Sequence, residues 1–214
     1  CEIFTTGSTA TITDLPMGYT SFQTTASTGS TNQMRVGQDG GNGTFNLADA
    51  AGTGGLYTGL GLGSGSMTVN AAGLYIGGNS GTGSTGKVNV NTSGLLSIGA
   101  ELEVGTNSSS GTLNIDAGAV SANNWIEIGN GNTGGAACSG TLKMSGGSLT
   151  KTGSNHMIVG ANGSIGTATI NGGSISVNNE IWVGNNPNSN GTLTLTTDSV
   201  TSGSWFAIGE TAAS

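Results

Sequence analysis

The chain has 214 residues, of which 42 are glycine and only 7% are charged, and its net charge is −7 at pH 7. Its basic residues are scattered, which excludes the basic surface of a protein that binds nucleic acid or anionic membranes; they are Arg35, Lys87, Lys143 and Lys151. No apolar stretch approaches the ~20 residues of a membrane-spanning helix, so membrane insertion is not expected. Apolar residues make up only 34% of the chain, but they are periodic, which indicates a stacked repeat rather than disorder.

Three short segments in which polar and apolar residues alternate recur along the chain. The first segment occurs as STATIT (8–13), GTFNLA (43–48), GSMTVN (65–70), GKVNVN (86–91), GTLNID (111–116), GTLKMS (140–145), GTATIN (166–171) and GTLTLT (191–196). The second ends in apolar-x-apolar-Gly, as MRVG (34–37), LGLG (60–63), LYIG (74–77), LEVG (102–105), IEIG (126–129), MIVG (157–160), IWVG (181–184) and FAIG (206–209). A weaker third segment lies between them, as GLLSI (94–98), GAVSA (118–122), GSLTK (147–151), GSISV (173–177) and DSVTS (198–202).

These segments predict an all-β fold, a parallel β-solenoid with three strands in each turn. Alternation with a period of two places one residue type on one face of a strand, and Gly and Asn between the segments suit tight corners. The repeats predict about eight turns, and the general chirality preference favours a right-handed coil. Residues 1–42 are predicted to form an irregular first turn or an N-terminal cap, and residues 43–214 one continuous solenoid domain. The third segment is missing between residues 65 and 77, so that turn is expected to be short or differently built.

The inward positions of the segments predict a core of stacked aliphatic side chains. One repeat cannot bury its apolar side alone, but stacked repeats can. The predicted core residues are Leu102, Val104, Leu113, Ile115, Ile126, Ile128, Leu142, Met144, Val159, Ile170, Ile181, Val183, Leu193, Leu195 and Ile208.

The repeat unit resembles a family of bacterial surface proteins. Units of about 25 residues that combine GTLxI, GGxLxxx and IxVG are similar to the β-helix repeats shared by type V secretion (autotransporter-like) passenger domains and PEP-CTERM-associated proteins. The resemblance is best from Gly86 onward, and residues 1–40 and 65–77 depart from it. It implies an extracellular β-helix with an adhesive or structural role, and it implies no catalytic residues.

One outward face combines the aromatic and acidic residues. The alternation that points Ile181 and Val183 inward points their neighbours outward, and the same phase recurs in the other turns. The predicted ligand or partner face consists of Tyr75, Glu101, Glu103, Trp125, Glu127, His156, Ile158, Glu180, Trp182 and Trp205. It holds all three Trp residues and the single His, whereas the other faces show mainly Thr, Asn, Ser and Gly.

Three interpretations of this face remain open at this level. Aromatic rings in line with carboxylates suit a polysaccharide, because rings stack on sugars and carboxylates accept hydrogen bonds from hydroxyls. Trp and Tyr are also favoured anchors of protein contacts, including contacts with a second copy or another surface protein. Finally, the outward aromatics could simply cover their neighbours in the sheet.

Catalysis and cofactor binding are not expected. Glu103 and Glu127 should lie one turn apart, and His156 near Glu127 and Glu180 is the best acid–base pair that the sequence offers. The corners are too short, however, to build the groove of a polysaccharide-cleaving enzyme. The chain also lacks a cluster of Cys or His residues with the spacing of a metal site.

The two cysteines, Cys1 and Cys138, are predicted to lie several turns apart. A disulfide needs Cα atoms about 4.4–6.8 Å apart, so the two are not expected to pair within one chain. A free or buried thiol, an intermolecular disulfide and, at Cys1, a lipid-modified terminus are the remaining alternatives.

The composition, with Thr, Ser, Asn and Gly in place of Lys and Glu, favours a secreted protein. The sequence therefore predicts a bacterial cell-surface structural or adhesive protein that assembles end to end into a fibre. The alternative is a carbohydrate-binding module that uses the Trp/Glu face.

Overall fold

A computed structural model describes residues 2–3, 8–12, 22–24, 33–37, 40–48, 67–69, 73–78, 83–131, 138–196 and 199–209 of the chain. The described secondary structure consists of strands: β1 (Glu2–Ile3), β2 (Ser8–Ile12), β3 (Phe22–Thr24), β4 (Met34–Val36), β5 (Asn42–Ala48), β6 (Met67–Val69), β7 (Leu74–Ile76), β8 (Thr85–Ile98), β9 (Leu102–Thr106), β10 (Ser110–Ala122), β11 (Ile126–Asn130), β12 (Ser139–Lys151), β13 (Met157–Ala161), β14 (Ile165–Val177), β15 (Ile181–Asn185), β16 (Asn190–Leu195), β17 (Ser199–Ser202) and β18 (Phe206–Ile208). No described segment is a helix long and apolar enough to cross a membrane.

The strands form two parallel sheets, which confirms the predicted parallel β-solenoid. Sheet A has eight strands in the order β1-β4-β7-β9-β11-β13-β15-β18 and is built from the second segment. Sheet B has ten strands, with the ladder β2-β5-β8-β10-β12-β14-β16 at its centre. Neighbours in each ladder come from successive repeats, so the chain coils and stacks each turn on the one before. The right-handed sense and the count of about eight turns stay predictions.

The first and third segments are parts of one long strand in each of the central turns. Strand β10, for example, pairs with β8 along both segments, and its register shifts between Ile115 and Ala119. Gly118 lies within that shift at φ +86°, a conformation that L side chains rarely adopt. The corner between these two sides of the coil is therefore a bulge inside a continuous strand rather than a loop.

The glycine that closes a second segment has a positive φ, and in most turns close backbone contact also requires it. Gly105 has φ +72°, and a Cβ atom on it would lie 1.9 Å from the carbonyl oxygen of Ser139 in the adjoining turn. Gly37, Gly77, Gly129 and Gly160 make the same contact at 2.5 Å or less, whereas Gly184 and Gly209 share only the positive φ.

One predicted segment joins a different side of the coil. The GSMTVN stretch was expected to be a first segment, but its strand β6 pairs with Leu96–Ile98, the third segment of the next turn. The first segment of that turn is β5, whose Gly43 pairs directly with Gly86. The expectation of a missing third segment is therefore wrong, because alternation alone does not say which side of the coil a strand joins. The LGLG stretch (60–63) lies outside the described residues.

Strands β1 to β4 lie within the first 42 residues and pair in parallel with strands of the sheets. Strand β3 includes Phe22, from the stretch that fits the repeat poorly. The division of the chain at residue 42 stays a prediction.

The core consists of columns of aliphatic side chains that run along the coil. Every predicted core residue is buried except three in the last described turn: Leu193 is partly buried, Leu195 is 46% exposed and Ile208 is 77% exposed. These three continue inward columns, as the pairing of Ile208 with Val183 shows. They are exposed because no described strand covers them.

Lys151 occupies a core column that the sequence analysis did not assign to it. It pairs with Ala122 and Val177, and all three side chains are buried. Its ammonium nitrogen donates a hydrogen bond to the carbonyl oxygen of Gly153 at 2.6 Å. Desolvation by burial lowers the pKa of Lys151.

Candidate functional site: the outward face of sheet A

The predicted face residues lie in two parallel columns on the outside of sheet A. The strand column contains the middle residues of the short strands, paired in register as Arg35, Tyr75, Glu103, Glu127, Ile158, Trp182 and Ala207. The corner column contains the residues just before these strands, whose carbonyl oxygens accept hydrogen bonds from the preceding turn: Gly73, Glu101, Trp125, His156, Glu180 and Trp205. All ten predicted residues belong to these columns, so one face brings them together.

The C-terminal half of the face is an aromatic cluster that consists of Trp125, His156, Glu180 and Trp182. The His156 imidazole stacks on the Trp182 indole, with centroids 4.2 Å apart and planes 20° apart. The Trp125 ring also packs against His156, with the ring centroids 5.1 Å apart and the planes tilted by 59°. The cluster links three successive turns. Its rings therefore cover neighbouring residues of the sheet, as outward aromatic side chains commonly do.

Glu180 holds two members of this cluster in place. Its Oε2 atom accepts a hydrogen bond from Trp182 Nε1 at 2.9 Å and lies 3.3 Å from His156 Nδ1. The predicted pairing of His156 with a neighbouring carboxylate is therefore formed with Glu180. Both side chains remain partly accessible, at 19% for His156 and 24% for Glu180.

Two residues expected to be exposed are buried. Tyr75 is 4% exposed and Ile158 is 5% exposed, although both point away from the core of the coil. The Tyr75 ring lies over Gly73, where a Cβ atom would be 2.8 Å from the ring. The Tyr75 hydroxyl donates a hydrogen bond to Glu101 and accepts one from Gln33 Nε2. Residues of other turns thus contact Tyr75, and a single strand cannot reveal such contacts.

Arg35 and Gln33 extend this network, and the sequence analysis did not include them. The Arg35 guanidinium donates to Gln33 Oε1 through Nε at 2.9 Å and Nη2 at 2.7 Å. The signal was present, because Arg35 occupies in MRVG the same middle position that Tyr75 occupies in LYIG.

Burial, and then the hydrogen bond with Glu101, raise the pKa of Tyr75.

The middle of the face is an acidic cluster that consists of Glu101, Glu103 and Glu127. Glu103 and Glu127 pair in register on neighbouring strands. Burial, followed by repulsion from Glu127 and Glu101, raises the pKa of Glu103 to about 8. Burial also raises the pKa of Glu127, although a hydrogen bond with Asn130 partly offsets this.

Cys138 lies in the core rather than on a surface. Its thiol donates a hydrogen bond to the carbonyl oxygen of Gly105 at 3.0 Å, and burial raises the pKa of the thiol. An intermolecular disulfide at Cys138 would require this segment to open. Cys1 lies outside the described residues.

Within the described ranges, no group of three or more His, Cys, Asp and Glu side chains is arranged to hold a metal ion. A scan against protein-family models, a search of curated proteins and a search of solved structures each found no match to this chain.

Proposed function

We propose that this protein is a secreted structural or adhesive β-solenoid of a bacterial cell surface, and that copies of it stack end to end into a fibre. In this proposal the protein acts by contact and is not an enzyme. The observation that carries the proposal is the apolar surface of the last described turn.

The last described turn exposes side chains whose counterparts in the preceding described turns belong to the core. Leu195, Phe206 and Ile208 are 46%, 45% and 77% exposed, and each continues a column that is buried in the preceding turns. A surface of this kind is stabilised when another turn covers it, because burying apolar area is favourable by about 25 cal/mol per Å².

The strands of the same turn also offer free hydrogen-bonding edges. In the described part of the chain, β16, β17 and β18 each pair on one side only, with β14, β14 and β15 respectively. None of the three strands contains a charged residue or a proline, the devices that usually protect a sheet edge from pairing. A second copy that adds parallel strands here would form a contact that repeats from copy to copy.

The composition supports the proposed location and partners. Few charges and many Thr, Ser, Asn and Gly residues are typical of secreted proteins, and the resemblance of the repeats favours a bacterial surface. Scattered basic residues in a chain with a net charge of −7 do not suit nucleic acid or an anionic membrane as partners.

Electron microscopy of the purified protein at neutral pH, with and without reductant, tests the proposal. We expect filaments whose axial repeat is a multiple of the strand spacing of about 4.8 Å. Ile208→Lys should abolish them, because it places a charge at the contact, and this exposed position tolerates the change in the monomer. The matched control is Ser176→Lys, an exposed outward position in β14, a strand that is paired on both sides and so lies away from the contact.

Single rods at high protein concentration would overturn the stacking proposal. So would filaments that form equally well in the Ile208→Lys variant. Filaments that require the absence of reductant would instead assign the contact to a disulfide.

A second candidate function, a carbohydrate-binding module, is favoured by a separate observation. Trp205 is 70% exposed in the same corner column as Trp125 and Glu180, where it is the member from the last described turn. An exposed indole next to a carboxylate suits the apolar face and the hydroxyl groups of a sugar.

A further inference from the structure

We propose that the corner column from Trp125 to Trp205 binds one extended, neutral, β-1,4-linked polysaccharide that lies parallel to the axis of the coil. This inference rests on the second candidate function and adds the class of ligand, its direction and the residues that contact it.

The spacing of the column favours a ligand that runs along the axis. Backbone hydrogen bonds from Ile126 to His156, from Met157 to Glu180 and from Ile181 to Trp205 place these residues on successive turns. Stacked strands are about 4.8 Å apart, so Trp125 and Trp205 are separated by three steps, or roughly 14 Å. A hexopyranose unit in an extended β-1,4-linked chain has a length similar to one step, so successive units can meet successive residues of the column.

The groups of this column are held in position before any ligand arrives. His156 is held between the two indoles of Trp125 and Trp182, and the hydrogen bond from Trp182 Nε1 orients Glu180 beside His156. A site whose side chains are already ordered loses little conformational entropy when it binds. Trp205, 70% exposed, supplies the largest open aromatic surface at one end of the column.

The distribution of charge favours a neutral ligand over an anionic one. Glu180 lies in the column, and Glu101 continues the column by one turn beyond Trp125. The basic residues do not balance them beside the column. Lys87 and Lys143 lie on sheet B, and Lys151 is buried in the core. Arg35 lies on β4 of sheet A, which β7 and β9 separate from β11. Carboxylates accept hydrogen bonds from sugar hydroxyls but repel the acidic groups of anionic polysaccharides.

Two derivatives of the same polymer separate these possibilities. Hydroxyethyl cellulose is neutral and carboxymethyl cellulose is anionic, and cellohexaose provides a defined short ligand. Binding is measured by the change in tryptophan fluorescence and by calorimetry at low and at moderate salt. We expect hydroxyethyl cellulose and cellohexaose to bind, and carboxymethyl cellulose to bind more weakly, with a difference that shrinks as salt screens the charges.

Variants assign the binding to the column. Trp205→Ala should raise the Kd for cellohexaose about three- to tenfold, because it removes one aromatic contact from an exposed position. Glu180→Gln should also weaken binding and should reduce the preference for the neutral polymer. Thr192→Ala, which changes an exposed residue on sheet B in the same turn, is the matched control and should leave the Kd unchanged.

The inference is overturned if neither hydroxyethyl cellulose nor cellohexaose binds, if carboxymethyl cellulose binds better, or if Trp205→Ala binds like the parent. Its failure is distinguishable from failure of the fibre proposal. The Ile208→Lys variant should lose end-to-end assembly yet bind cellohexaose with the parental Kd.

Discussion

The imidazole of His156 lies flat against the indole of Trp182, 4.2 Å away, although the two residues belong to different turns of the coil. Trp125 packs against the same imidazole from the preceding turn. The outward side of sheet A is therefore tied together by side chains as well as by backbone hydrogen bonds, and this arrangement has consequences for stability.

Replacing Trp182 with Ala should destabilise the solenoid. The change removes the stack on His156 and the hydrogen bond to Glu180, and we expect a loss of about 1–3 kcal/mol in the free energy of unfolding. Trp205→Ala is the control, since that side chain is largely exposed, and it should change the free energy by no more than about 0.5 kcal/mol. Urea unfolding followed by circular dichroism measures both. Equal effects would show that the stack does not stabilise the coil.

The stability of the protein should fall as the pH rises through the range in which Glu103 ionises. The pKa of Glu103 is about 8 in the folded protein and 4.5 for the ordinary side chain. Between these two pH values, Glu103 therefore keeps a proton in the folded state that it loses in the unfolded state. Its contribution is therefore complete below about pH 4.5 and is lost as the pH approaches 8. Glu103→Gln should remove this dependence and raise the stability at pH 8 by roughly 1–3 kcal/mol.

Thermal unfolding of the parent and the Glu103→Gln variant at several pH values measures this effect. Asp116→Asn, at an exposed carboxylate, is the control and should retain the parental dependence on pH. The range from pH 5 to pH 8 lies within the ~3.5 pH units that separate the ordinary pKa of Glu103 from its pKa in the folded protein. If the Glu103→Gln variant loses as much stability over this range as the parent does, the burial of this carboxyl group is contradicted.

Two glycines with the same backbone conformation should respond differently to replacement by Ala. Gly105 and Gly163 have φ +72° and +75°, but a Cβ atom on Gly105 meets Ser139 whereas one on Gly163 meets nothing within 4 Å. Gly163→Ala should cost about 1 kcal/mol from backbone strain alone. Gly105→Ala adds a clash between two backbones and should cost at least about 3 kcal/mol. Chemical denaturation of both variants makes the comparison, and similar losses would refute the steric role of the corner glycine.

Charges introduced into the core should act differently in the middle and in the last described turn. Ile170→Asp buries an unpaired charge in a fully packed column, and we expect the solenoid to unfold. Leu193→Asp changes a partly buried position of the last described turn, where Leu193 continues the column of Ala168, so only that turn should open. Hydrogen exchange resolved along the chain distinguishes local opening from global unfolding. A folded Ile170→Asp variant would refute the assignment of the inward face.

The alternation of short segments was sufficient to predict the solenoid and the direction of its side chains. In a strand, neighbouring residues point to opposite faces whatever the rest of the fold does, so Leu113 and Ile170 could be placed in the core and Trp182 outside it. The recurring Gly after the second segment could likewise be recognised as a corner, because its conformation is a local property.

Relationships between turns were decided only by the tertiary structure. Alternation does not define which strand a segment pairs with, so Met67–Val69 was assigned to the wrong side of the coil. Nor does it define how neighbouring turns cover one another, so the burial of Tyr75 and Ile158 was not foreseen. The same holds for Lys151, which is buried in a column between Ala122 and Val177. Register and lateral cover depend on residues about 25 positions apart meeting in space, as Glu103 and Glu127 do, and a single segment does not contain that information.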